Sequence, residues 1–411
     1  MPNIVDMLTN CVAGADEVSQ RFLDMHVDEN TGVKVFDRTW TVRQLAKELS
    51  LTTGQISTAL PNIPGVEPVD SDKRLKEYSL SSLHLIRQYF QLSPQRDSQD
   101  DPVVLSIMSG KGGVAKSTIS IYLSQYLAIK GYRVLVIDCD PQSTVTTFSL
   151  GVVSDATFEQ DDTLSPCLLD HDPSLASKIV ETPIEGLHLI PACQQLQSAE
   201  IVFTSPREGA DGQLTKVPSD AWLKLRNSID AISHNYDVVI LDTAPMASNI
   251  NLSTALASNL IITPITPSPI DFFSTVTYVK AIAGYLEEIA SMFNYSEETL
   301  NRLTAHRFVV SKQKTGGAHQ KFANLLRVAF GENIYESPFR ESTEISNTLN
   351  NLNTMLEKGR AVNSESTRIA SLESIDLLFD EIVDDIRAHW SAQLPIPRIP
   401  QTDPANTLMS A

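Results

Sequence analysis

Runs of β-branched and other apolar residues recur through the middle of this chain, separated by segments long enough for a helix. Val103 to Met108, Arg133 to Asp138, Leu187 to Pro191, Tyr236 to Asp242, Leu260 to Pro264 and Phe308 to Ser311 are such runs. They are apolar almost without alternation, which predicts strands covered on both faces, the mark of a parallel sheet. Ser117 to Lys130 reads as the helix after the first strand, and Gly131 supplies its stop. The expected class is α/β, with a doubly wound, mostly parallel sheet over residues 103–390.

The pattern changes before residue 103. Val5, Leu8 and Val12, then Val18, Phe22 and Met25, suit a helix or two broken at Gly14, so residues 1–33 read as a helical arm of a kind that can contact a second copy. In 34–92, Thr41 caps a helix running to Ser50, Leu51 to Gly54 form a turn, and Gln55 to Leu60 begin a second helix. Ala46, Ser50 and Ile56 have the small/turn/apolar spacing of a helix-turn-helix. Thr52, Thr53, Gln55, Ser57 and Thr58 would then face DNA, with hydroxyls and an amide suited to phosphates and base edges. Lys73 to Leu80 would be the wing of a winged version, adding Lys73, Arg74 and Lys76. A packed helical pair that only mediates dimer contacts fits the same pattern. Residues 93–102 are polar and proline-bounded, as in a linker. Prolines at 395, 397 and 400 make 391–411 a flexible end.

Composition changes this picture in two places. No stretch approaches the ~18 apolar residues of a membrane span, and Met1 to Asp6 carry no secretory signal. Four scattered cysteines lack metal spacing and suit a reducing cytoplasm. The formal net charge of −18 argues against a polyanionic partner on average. Locally the balance reverses: nine basic residues from Lys34 to Arg96 (Arg87 among them) face six acids, so a DNA-binding surface belongs there.

The candidate chemistry begins after the first strand, at Gly110-Lys111-Gly112-Gly113-Val114-Ala115-Lys116-Ser117-Thr118. This fits the phosphate-binding pattern G-x-x-x-x-G-K-[ST] except that Ala115 replaces the second glycine. Glycines let backbone N–H groups turn inward around phosphate oxygens, and the helix N-terminus adds its positive end. Lys116 would bridge the β- and γ-phosphates of ATP, and Ser117 would give its hydroxyl to Mg²⁺. Asp138 and Asp140 close the second strand, and Asp242 closes another, where open α/β sheets bind ligands. Asp242 would hold Mg²⁺ as well.

Lys111-Gly112-Gly113 followed by Lys116-Ser117 resembles the deviant Walker A motif of the ParA/MinD family of ATPases, and Asp138-Cys139-Asp140-Pro141-Gln142 is similar to the family's second motif. The resemblance implies a P-loop NTPase fold in which Lys111 reaches across a dimer interface to the partner's nucleotide. It implies that Asp140 orients the attacking water, with Asp138 near the Mg²⁺ shell. Pro264 and Pro267, ahead of Asp271-Phe272, match the family's adenine-contacting segment. Lys312, Lys314, Lys321, Arg327 and Arg340 are the candidates for binding DNA without sequence preference, unless they are a solvated helix face.

Larger ParA proteins of low-copy plasmids and secondary chromosomes carry a helix-turn-helix domain. From this follows the expected function of a slow, partner-stimulated partition ATPase. ATP would drive dimerisation and DNA binding, with filaments as an open extension. A ParB-type centromere-binding protein would stimulate hydrolysis and reset it. The protein would repress its own operon and act in the cytoplasm, associated with the nucleoid. The rival is a nucleotide-responsive transcription repressor without a transport role. A MinD-like membrane ATPase would need an amphipathic C-terminal helix, which the prolines oppose, and an iron–sulfur reductase would need differently placed cysteines.

Overall fold

The computed structural model describes residues 15–28, 34–94, 96–97, 100–169, 174–203, 207–208, 214–215, 219–314, 316–357, 361 and 364–390. The helix expected between Val5 and Val12 and the expected flexible end 391–411 lie outside the described residues. Of the arm, helix α1 (Ala15–Asp24) forms. Val18 and Phe22 on this helix and Met25 just after it are exposed, and Leu23 is buried.

The described residues divide into two compact units, one of 39–100 with 387–390 and one of 15–38 with 101–386. In the smaller unit β1 (Trp40–Thr41) leads into α2 (Val42–Glu48), and a tight turn leads to α3 (Thr53–Ala59). Both seven-residue helices are too short to persist alone. They are held by reciprocal caps, in which Thr41 pairs with Gln44 and Thr52 with Gln55. Ser50 turns the chain between them with φ +54°. Strand β2 (Glu77–Tyr78) pairs antiparallel with β1, and α4 (Leu80–Tyr89) starts from the Ser79 cap. Trp40, Leu45, Ile56, Leu83 and Ile86 fill the core at 1% exposure or less. Such side chains contribute about 1.5–3 kcal/mol each.

Three expectations need correction here. The wing expected over Lys73 to Leu80 shrinks to the two-residue β2, because Leu80 already belongs to a capped helix. Arg87 is buried, its guanidinium 4.0 Å from Glu48, and so adds nothing to a basic surface. Lys34 belongs to the larger unit, where its ammonium lies 2.9 Å from Glu357 and donates to the Phe148 carbonyl at 3.0 Å. Both charges of the Lys34–Glu357 pair are more than nine-tenths buried, so each needs the other.

The larger unit is built on β3 (Val103–Ile107), α5 (Lys116–Ile129), β4 (Val134–Cys139), α6 (Thr144–Leu150), β5 (Val180–Glu181), β6 (Leu187–Ile190), α7 (Leu196–Phe203), α8 (Lys224–Ile232) and β7 (Val238–Thr243). Then follow α9 (Asn249–Ala257), β8 (Leu260–Ile265), α10 (Pro269–Phe293), β9 (Ala305–Gln313), α11 (Gly317–Phe330), β10 (Phe339–Arg340), α12 (Thr343–Leu349) and α13 (Glu365–Ala388). Among the described residues the sheet has eight strands, ordered β10-β9-β8-β3-β7-β4-β6-β5. Every pairing is parallel except β5 with β6. Each of the six predicted runs supplies one of these strands, within a few residues at its ends. Helix α5 is buried nearly all round, and its buried Ser120, Ser124 and Gln125 are each hydrogen-bonded. β3, β7 and β4 are mutually parallel, so the carboxyl ends of these three strands open onto one edge.

Candidate functional site

The loop between β3 and α5 is shaped by three different demands on its small residues. Gly110 lies against the Tyr278 ring, and a Cβ there would meet ring carbon at 2.5 Å. Gly113 has φ +76°, which favours glycine, whereas a Cβ on Gly112 or Gly113 would meet nothing within 4 Å. Ala115, the departure from the expected glycine, also lies in the left-handed region at φ +72° and precedes the first turn of α5. A Cβ in that region costs about 1–2 kcal/mol, partly offset by the chain entropy that glycine would lose. Ala115→Gly should therefore raise the free energy of unfolding by about 0.5 kcal/mol. Denaturant melts at constant m-value would check this, and a lower midpoint would contradict it.

Lys116 and Ser117 open α5 with their side chains at the sheet edge. Lys116 is buried, and its ammonium donates to the Lys111 carbonyl at 3.2 Å. Burial pulls its pKa down, and the charges of Asp242 and Asp140 oppose that. Ser117 Oγ donates to Asp242 Oδ2 at 2.8 Å, and Ser120 Oγ to Asp242 Oδ1 at 2.5 Å. Ser120 escaped the sequence reading, although its place three residues after Ser117 puts both hydroxyls on one helix face.

Asp242 and Asp138 sit side by side, because β7 and β4 pair in register at these residues. Both are fully buried. Burial and then the Asp242 charge push Asp138 up to about 8. Burial also raises Asp242 to about 6, against the hydrogen bonds of Ser120 and Ser117. Two facing carboxylates of this kind favour a shared proton or a cation. Asp138 is also held from behind: Thr146 donates to its Oδ2 through both N–H and hydroxyl, at 2.9 and 2.8 Å. The Asp140 N–H donates to Asp138 Oδ1 at 3.2 Å. Asp140 itself accepts from the Gln142 N–H at 2.9 Å.

A small hard cation fits this edge. Ser117 and Asp242 present a hydroxyl and a carboxylate oxygen side by side, the donor types that Mg²⁺ takes. Among the described residues no three His, Cys, Asp or Glu side chains form a ready metal cage.

The other predicted residues are spread more widely. Lys111 pairs with Asp271 in the first turn of α10, a partnership no pattern in the sequence indicated. Pro264 lies buried inside β8, and Pro267 is buried in the loop that follows. Just beyond them Thr266 Oγ1, Ser311 Oγ and Gln313 Oε1 are buried without a hydrogen-bond partner at the ends of β8 and β9. A cleft of about 590 Å³ beside Gly110 is lined by Met246, Ile270, Phe273, Ser274 and Tyr278, among others.

In the smaller unit Thr52, Thr53, Gln55, Ser57 and Thr58 share an exposed stretch, while Ile56 and Ala59 turn inward. Thr52 and Gln55 are engaged with each other, Gln55 Oε1 accepting from the Thr52 N–H and hydroxyl. Lys73 is exposed 4.0 Å from Asp70, Arg74 is exposed, and Lys76 bonds the Ser71 carbonyl. Arg340, Lys312 and Lys321 are exposed on the larger unit, and Lys314 lies 3.4 Å from Glu341. Arg327 instead holds the Glu336 carbonyl and Asn324.

Residues 103–295 match a family described as an AAA domain. Protein SopA of Escherichia coli (strain K12) is 24% identical over 398 residues, covering 94% of this chain and 99% of its own. Plasmid partition protein A of Escherichia coli is 27% identical over 326 residues, 74% of this chain and 78% of its own. A solved structure titled "Partition Protein" superposes with a TM-score of 0.64 at 20% identity, covering 94% of this chain and 99% of that one. No described helix is long and apolar enough to cross a membrane.

Proposed function

Because the chain belongs to the ParA-type family of P-loop partition ATPases, we propose that it cycles between ATP- and ADP-bound forms to move DNA, and that ATP switches its grip on DNA. The observation that carries this reading is the Ser117–Asp242 hydrogen bond, beside the buried Lys116 at the carboxyl edge of the sheet. Lys116 binds the β- and γ-phosphates, backbone N–H groups from Gly110 to Thr118 surround them, and Lys111 reaches a second copy's nucleotide. Ser117 and Asp242, with Asp138 behind, hold Mg²⁺, whose chemistry there is to neutralise phosphate charge. Asp140 orients the attacking water. The base lies near Pro264 and Pro267, where the orphaned Thr266, Ser311 and Gln313 oxygens offer it hydrogen bonds.

ATP-bound dimers would hold DNA through exposed lysines and Arg340, with filaments as a further form of assembly. A ParB-type partner would stimulate the slow hydrolysis and release the DNA. The smaller unit, as a helix-turn-helix whose wing is reduced to the short β1–β2 pair, would read an operator with Thr53, Ser57 and Thr58, helped by Thr52, Gln55, Lys73, Arg74 and Lys76, and so repress its own operon. Such a protein works in the cytoplasm on the nucleoid. A repressor without a transport role keeps the exposed face of α3 as its one supporting observation.

Full-length protein should retain non-operator DNA with Mg-ATP but not with Mg-ADP, and retention should fall steeply as salt rises. Equal retention with both nucleotides would remove the switch.

A further inference from the structure

Within its own chain Lys111 has a counter-ion, Asp271, that this reading does not use. Lys111 lies on the loop after β3, and Asp271 in the first turn of α10, which follows β8. These strands are neighbours in the sheet, so both loops leave the same edge. The Lys111 ammonium bonds Asp271 Oδ1. The two partners are unequally fixed. The lysine side chain is 43% exposed on a flexible stem, and the carboxylate is 10% exposed.

We propose that Asp271 is a positioning residue: it holds Lys111 within its own chain and yields it to phosphate, so that this carboxylate sets the threshold for nucleotide engagement. The inference rests on the reading of the loop as a nucleotide site and adds the device that regulates it.

Three physical facts support a trade rather than a permanent strut. A second copy's triphosphate and the Asp271 carboxylate carry like charge, so they compete for one compact ammonium. Asp271 can afford to lose the lysine. It occupies the third position of a 25-residue helix, where the helix N-terminus stabilises an anion, and its own N–H is held by the Ser268 cap at 3.2 Å. Finally, Lys116 donates to the Lys111 carbonyl, so a shift of Lys111 reaches the second lysine directly. The neighbours of Asp271 add a route outward. Ile270 and Phe273 are 76% and 67% exposed on the same turn, beside the cleft that Gly110 and Tyr278 also line.

The test is titration of the full chain with a fluorescent ribose-labelled ATP and Mg²⁺. Asp271→Asn should bind about ten-fold more tightly than the parent. Asp271→Ser, which keeps a short polar group suited to a helix start, should do the same and covers the case in which the amide variant folds poorly. Asp271→Glu, which restores the charge, should return affinity to within about two-fold of the parent. In a Lys111→Ala background, Asp271→Asn should have no effect, because the lysine it restrains is gone. Unchanged or weaker binding in both neutral variants would overturn the proposal, as would a full effect of Asp271→Asn without Lys111. A parent protein that takes up no nucleotide would instead overturn the reading of the loop, whatever the variants do.

Discussion

Lys116→Ala is expected to abolish uptake of Mg-ATP and, with it, ATP-dependent retention of DNA. The ammonium is buried under the loop and spans from the start of α5 to the Lys111 carbonyl. It is the one loop lysine that burial has already stripped of much of its water, so its attraction to phosphate is little screened. Charge-assisted hydrogen bonds to phosphate at such a place are worth roughly 3–4 kcal/mol together, or a loss of affinity on the order of 10²–10³. The fold should survive. Alanine is the best helix former, and removing a desolvated ammonium relieves a cost. Calorimetry with Mg-ATP on the intact chain, alongside a thermal melt, separates the two effects. Normal nucleotide uptake by a folded Lys116→Ala protein would refute the assignment of this loop.

Asp140→Ala should have the opposite signature, with binding kept and turnover lost. Asp140 follows β4 directly and is 7% exposed. Its carboxylate is fixed by the Gln142 N–H, and its charge helps keep the neighbouring Lys116 protonated. Removing a group that orients the attacking water typically costs on the order of 10²–10³ in rate. Nucleotide affinity should change by only about two- to three-fold, since the phosphate cradle is intact. The variant should therefore accumulate in the ATP-bound form and retain DNA for longer after ATP is added. Single-turnover hydrolysis with labelled ATP gives the rate. Loss of binding rather than of turnover would make Asp140 a structural support for the Asp138–Thr146 corner.

The core strands could be read in advance because a fully covered strand leaves a local trace, an unbroken apolar run such as Val238 to Leu241, three of its four residues β-branched. The loop was equally readable, since glycines followed by Lys116 and Ser117 are contiguous. Asp138 was harder. Its spacing from Asp140 placed it at a strand end, but the two Thr146 hydrogen bonds that hold it come from the next helix. Lys34 misled the charge count because a lysine's burial depends on what covers it. Its counter-ion, Glu357, lies 323 residues away.

Sequence by itself determined the α/β class, the order of strands and helices, the loop at Gly110 to Thr118 and the carboxylates that end β4 and β7. These depend on period and on contiguous residues, which short-range sterics and hydrogen bonding translate directly into structure. Tertiary structure alone decided that Asp138 faces Asp242, that Ser120 joins Ser117 on one carboxylate, that Tyr278 closes over Gly110 and that Asp271 holds Lys111. Each of those contacts joins, or depends on a contact between, residues more than a hundred positions apart. Which of them meet is set by strand order and by which charges can be buried in pairs, neither of which leaves a mark in local sequence.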